Sequence, residues 1–476
     1  MRIKMSVLFI VISVLASMTN LFSQTGSSQD YNILKFGAKR DGKTVNTKSI
    51  QKAIDKCNAD GGGIVTVPAG KFITGMIFLK DNVTLNLEKG STLESSIDTT
   101  DFAADRWHKC IISMVGVQNV SLVGEGTIDG RGDKFTVANE APNRPYVVYV
   151  QNSKNIRIKD VTLKNSARWT LRLLKAEHVF VRGVTIYSQT NYNNDGIDID
   201  GKDIVISDCI IDCDDDAICL KSDSSNAICE NVVVTNCVLR SNRNFIKFGT
   251  ASSGGFKNIS ISNITMGKSA ESHLTDWDKR IIGVDEPITG ITGIVLEIVD
   301  GGTMDGVTIN NITMDGVQSP IFLRLGKRTP PVGVMKNIII SNVVAKTYSL
   351  IPSIITAVPG SYIENVTLRD IIVYAKGGGN LEMATRDVIE NEKGYPENRM
   401  FGDNLPGYGF YIRHAKNIVM DNVQLYLSQP DYRSAIYFDD VHDIKIRDLK
   451  ADKPEGEQPI IFEKKSSGVD TDKNYN

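Results

Sequence analysis

A short unit recurs along the chain: a polar residue or glycine, alternating aliphatic positions, then Asn, Asp or Gly, then another short apolar run. It reads NIRIKDVTL from Asn155, HVFVRGVTI from His178, DIVISDCII from Asp203, NVVVTNCVL from Asn231, NISISNITM from Asn258 and GVTINNITM from Gly306. It continues as NIIISNVVA from Asn337, NVTLRDIIV from Asn365, NIVMDNVQL from Asn417 and DIKIRDLKA from Asp443, with weaker copies from Asn82 and Asn119. Most steps are 23–31 residues; those from Asn258 to Gly306 and from Asn365 to Asn417 are 48 and 52. Each unit carries period-2 apolar runs broken by turn residues, and none holds a long helical pattern between its strands. Without crossover helices, each strand pairs with its counterpart one repeat later. The pattern predicts an all-β solenoid with coils about 4.8 Å apart. A β-propeller competes, but its repeats run nearer 40 residues.

A solenoid exposes strand edges at its ends and needs covers. Ile50, Ala53, Ile54 and Cys57 form one apolar helical face, ended by the glycines at 61–63. Residues 28–60 are expected to form an N-terminal cap with a short helix. A single solenoid domain then covers 28–466, and 467–476 is a polar C-terminal tail. The long steps place inserted loops at roughly 268–292 and 376–410, a length often functional. Residues 1–24 have a positive start at Arg2 and Lys4, a short apolar stretch and small or polar residues near Ser23-Gln24. That is the layout of a cleaved signal peptide. It predicts a periplasmic or secreted protein, with a buried N-terminal helix as the alternative. No other stretch is apolar enough for a membrane span, and a monomer is expected. A net charge of −2 and the absence of a basic tract point away from nucleic acid. Five of the seven cysteines (57, 110, 209, 213, 219, 229 and 237) lie between 209 and 237. They read as small core residues, or as one disulfide within that cluster.

Two acidic clusters stand a little under one coil apart. NNDGIDID carries Asp195, Asp198 and Asp200; DCDDDAICLKS carries Asp212, Asp214, Asp215 and Asp216. Stacked on one face, such carboxylates raise one another's pKa, so one can stay protonated while others are ionised. Glycosidic cleavage needs that division between an acid and a base. Calcium binding and solvated turns are the competing readings of the same residues. Asp198 reads as a strand-end hydrogen-bonding residue.

NNDGIDID followed by DDDAICLKS resembles the signature of the polygalacturonase family of glycoside hydrolases, family 28. YNILKFGAKRDGKTVNTKSIQKAID, GEGTIDGRG and NSARWTLRLLKAEHVFVRGVTI resemble further stretches of that family, so the likeness covers most of the chain after residue 24. The resemblance implies a right-handed parallel β-helix. It also implies inverting, metal-free hydrolysis of α-linked pectic galacturonan, with no cofactor. It makes Asp215 the general acid and gives Asp195 and Asp216 the water. Two positions depart from the family pattern. Asn244 stands where His is expected, and Val295-Leu296-Glu297 stands where the family's Arg-Ile-Lys grips a substrate carboxylate. The departures point away from an ordinary endo-polygalacturonase, toward rhamnogalacturonan, chain ends, another polysaccharide or lost activity. Asn244 joins Lys221 and Lys247 as a candidate substrate contact; the two lysines sit one coil apart and otherwise read as solvated strand residues.

PIFLRLGKR and GYGFYIRH are rich in basic and aromatic residues for strands. Arg324, Tyr408, Arg413 and His414 are candidate sugar contacts, or side chains packed beneath a loop. Trp107 and His108 are weaker candidates. The expected partner is a polysaccharide or oligosaccharide. Competing functions are a calcium-dependent polysaccharide lyase and a non-catalytic glycan-binding β-helix.

Overall fold

The computed structural model describes residues 30–102, 108–135, 144–271, 290–402 and 404–475. They form a parallel β-helix of 31 strands, each paired in parallel with strands one coil away. The coils wind right-handed, the hand that parallel crossovers adopt.

The repeat explains the winding. One column of inward residues runs Val65, Leu85, Leu122, Ile158, Val181, Ile206, Val234, Ile261, Ile309, Ile340, Leu368, Met420 and Ile446 in unbroken register. All of them are fully buried. Each buried aliphatic side chain contributes about 1.5–3 kcal/mol, so the stack is the main source of stability. The residue opening each unit has positive φ: Asn155 +57°, His178 +52°, Asp203 +57°, Asn231 +55°, Asn258 +53° and Gly306 +75°. This is why Asn, Asp or Gly recurs there; other side chains are strained in the left-handed region. The same side chains then form ladders from coil to coil, as in Asn155 to Asn119 (3.0 Å) and Asn365 to Asn337 (2.8 Å).

The helix Thr47–Ala59 covers the N-terminal end with Ile50, Ala53, Ile54 and Cys57 buried. Gly62 (φ +112°) ends it, where a Cβ would sit 2.5 Å from the Asn82 carbonyl. At the other end the polar tail departs from expectation. Ser467–Thr471 forms a strand paired with Ser434–Arg447, because Val469 still falls on the inward period beside Ile444. All seven cysteines are buried free thiols, as core residues rather than a disulfide. The proposed signal peptide and most of the 268–292 insertion lie outside the described residues. No helix among the described residues is long and apolar enough to cross a membrane.

Candidate active site

The two acidic turns stack directly. The Gly196 amide donates to the Asp216 carbonyl (2.9 Å), and the Ala217 amide to the Asn244 carbonyl (2.8 Å), tying three coils together. Gly196 is required for this approach, since a Cβ would lie 2.4 Å from the Ala217 carbonyl. Buried Asn194 fixes the first turn: its amide donates to Ser166 O (2.7 Å) and its carbonyl accepts from Asn191 N (2.8 Å). Asp195 thus enters the strand Ile197–Ser207, and Asp215 and Asp216 enter Ile218–Ser222, on one face.

One carboxylate oxygen from each of Asp195, Asp215 and Asp216 lies within 4.8 Å of the others. They line a cavity of about 250 Å³ whose described walls also include Lys221, Asn244, Lys247, Glu297 and Tyr395. Six sequence candidates therefore converge: the three aspartates, Lys221, Asn244 and Lys247. The two lysines are not solvated. Lys247 Nζ lies 2.9 Å from Asp216 Oδ2, and Lys221 Nζ lies 3.1 Å from Asp198 Oδ1. Asn244 Nδ2 donates to Asp216 Oδ1 at 2.7 Å, so it orients that carboxylate. Asp198 is not an isolated strand-end residue; it is fully buried between Lys221 and Arg172.

Electrostatics separates the aspartates. Burial pushes Asp195 well above the usual carboxylate range, and the charges of Asp198 and Asp215 add to it. Burial also raises Asp215, with Asp216 adding to it against the pull of Arg243 and Lys247. Burial acts on Asp216 as well, but Lys247, Lys221 and the Lys247 and Asn244 hydrogen bonds outweigh it and hold it low. The cluster therefore keeps one carboxylate ionised beside two that resist losing their protons. Two carboxylate oxygens this close can share one water. The same crowding could also hold a divalent cation.

Four candidates lie elsewhere, and their sugar-contact reading is corrected. Tyr408 is core, its hydroxyl donating to Asp452 O at 2.7 Å. Arg324 is buried on Thr356 Oγ1 (3.3 Å) and Ala357 O (3.1 Å), with the Phe401 ring 5.5 Å away. Arg413 bonds Val388 O (3.0 Å) and pairs with Glu390 and Asp439, both at 3.0 Å. His414 sits between Asp440 (2.6 Å) and Glu390 (3.2 Å). Phe401, Val388 and Glu390 belong to the 376–410 insertion, so Arg324, Arg413 and His414 hold that loop onto the helix. The loop in turn brings Tyr395, Pro396 and Glu397 to the cavity wall. Trp107 lies outside the described residues, and His108 stacks on Tyr149 (centroids 4.6 Å apart) and is not among the residues that line the cavity.

Sequence reasoning gave no role to Trp169, Arg243 or Tyr395, and noted Glu297 only as a departure. Glu297 was within reach of the sequence: it lies two positions beyond Val295, which pairs with Lys247. Tyr395 was not, because an insertion has no repeat register.

The same fold occurs in the exopolygalacturonase of Thermotoga maritima. The TM-score is 0.64 at 19% identity, over 84% of this chain and 92% of that one. A probable polygalacturonase of Vitis vinifera is 32% identical over 40% of this chain and 44% of its own length. An exo-poly-alpha-D-galacturonosidase of Dickeya chrysanthemi is 30% identical over 39% of this chain and 41% of its own. The chain thus matches under half the length of each of these two relatives. The sequence model of glycosyl hydrolases family 28 matches residues 57–381, a span that contains all three clustered aspartates and both lysines, and the chain belongs to that family.

Proposed function

We propose that the protein hydrolyses an α-linked pectic polysaccharide of the galacturonan or rhamnogalacturonan type, with inversion. The observation that carries this is the split within the cluster: Asp216 held ionised by Lys247, Asp195 and Asp215 held up by burial. Asp215, the least buried of the three, protonates the leaving glycosidic oxygen. Asp216 and Asp195 hold the attacking water; Asp216 takes its proton, and Asn244 and Lys247 keep that carboxylate in place. The lysines belong to the acid–base machinery and do not need to grip a substrate carboxylate. The chain is exported after loss of residues 1–24 and works as a monomer without metal.

The test is turnover of a panel of size-defined pectic oligosaccharides, with products sized and their anomeric form followed by NMR. Saturated products that first appear as the β anomer support the reading. Unsaturated, ultraviolet-absorbing products would assign a lyase, and binding without cleavage of any panel member would assign a glycan-binding β-helix. Release of the α anomer would keep the hydrolase and remove inversion. A mature N-terminus near Gln24 supports export; an intact Met1 on envelope protein contradicts it.

A further inference from the structure

Glu297 lines the cavity on a different coil from the aspartates, and its carboxyl has no partner among the described residues. It is fully buried on the strand Gly290–Ile298, it lines the cavity, and neither carboxyl oxygen has a hydrogen-bond partner. Three of the cations around it are paired with aspartates, and the fourth, Arg324, is bonded to neutral oxygens with its Nη2 unpartnered. Lys247 pairs with Asp216 (2.9 Å), Lys221 with Asp198 (3.1 Å) and Arg328 with Asp300, while Arg324 bonds Thr356 and Ala357. A buried carboxylate without a partner is costly, whereas a buried carboxylic acid needs only one acceptor and can find it on a ligand. Gly249 alongside keeps the approach open, since even a Cβ there would come within 3.1 Å of Glu297 Oε2.

We infer that Glu297 is a specificity residue: as an undissociated acid it donates to an uncharged oxygen of the substrate, so the sugar beside it is not a free uronate. This rests on the hydrolase reading. The uncharged oxygen can come from a neutral sugar's hydroxyl or from a methyl-esterified uronate; a second carboxylate here would meet Lys247, Lys221 and Arg328 already paired with aspartates. Burial, partly offset by Lys247, pushes the Glu297 carboxyl up to about 8. It is therefore protonated at neutral pH and ionises as pH rises past that value. The other titratable groups facing it do not change state nearby. Lys247, Lys221, Arg328 and Tyr395 are raised, Asp216 is lowered, and Arg324, though burial pushes it down, stays charged as guanidinium does.

The experiment measures kcat/KM from pH 6 to 9 for three oligosaccharides of equal length: free oligogalacturonate, its methyl ester, and alternating rhamnose–galacturonate. Wild type, Glu297→Gln and Glu297→Lys are compared. Wild type should favour one of the two ligands with an uncharged group by at least about tenfold, and which one names the source of the oxygen. Its preference for that ligand over free oligogalacturonate should shrink above about pH 8, and in Glu297→Gln that preference should not change with pH; the raised carboxyls of Asp195 and Asp215 lower the rate on every substrate alike and cancel in the ratio. Glu297→Lys should shift preference toward free oligogalacturonate. Wild-type preference for free oligogalacturonate, or a preference in Glu297→Gln that changes with pH as it does in wild type, overturns the assignment and leaves the hydrolase standing. Cleavage of none of the three sinks the hydrolase reading and this inference together. If either variant fails to fold, the wild-type preference and pH profile decide.

Discussion

Glu297 and Arg413 occupy the same outward column of the same sheet, linked in register through Arg324 and Thr356. Their surroundings are opposite. Glu297 faces a cavity with its carboxyl unpartnered, whereas Arg413 has the 376–410 insertion across it and pairs with Glu390 and Asp439. What separates the two is the cavity and not exposure, since Glu297 is 0% exposed and Arg413 8%. The helix keeps cavity-facing polar groups at the Asp195–Glu297 coils and uses those at the Arg324–Asp439 coils to hold a loop. The loop then forms part of the cavity wall.

The contrast can be broken first at its catalytic end. Asp195→Asn and Asp216→Asn should each lower turnover by about 10²–10⁴-fold. If the two share the water, the double variant should lose much less than the product of the single losses. Losses that multiply would separate their roles. A smaller effect is expected at the loop-holding end. Arg413→Met removes one partner from buried ion pairs and leaves Asp439 only the neighbouring Lys464, a cost of up to about 3–5 kcal/mol. Differential scanning calorimetry should show a lower melting temperature. An unchanged melting temperature with a raised KM would return Arg413 to the substrate and erase the distinction. The smallest effect, none, is expected from exhaustive chelation, because the proposed acid–base chemistry uses no metal. A large loss restored by calcium would make the aspartate cluster a cation site.

The fold was legible because its cause is periodic. The left-handed turns at Asn155, Asn231 and Asn337 demand particular residues at fixed positions, and the inward column demands aliphatics two apart. The aspartates were legible because they sit in turns belonging to that same register. What sequence could not supply was coverage. Arg413 and His414 share a strand pattern with substrate-facing residues, and only the fold of a non-repeating insertion buries them. Asp198 was misread for a related reason. Its role depends on Lys221 one coil later, and alternation along a single strand does not report contacts between coils. The C-terminal strand Ser467–Thr471 was missed because Val469 is the one apolar residue marking its register.

The central claim is that Asp215 protonates the leaving oxygen, and the most direct measurement is turnover of the best pectic oligosaccharide by Asp215→Asn beside wild type, paired with melting temperature at pH 7. A carboxyl whose pKa is raised by folding weakens the folded state above its unfolded pKa, so the amide should melt at the wild-type temperature or slightly above it. The account predicts that this folded variant turns over at least about 10²-fold more slowly; near wild-type turnover would contradict it.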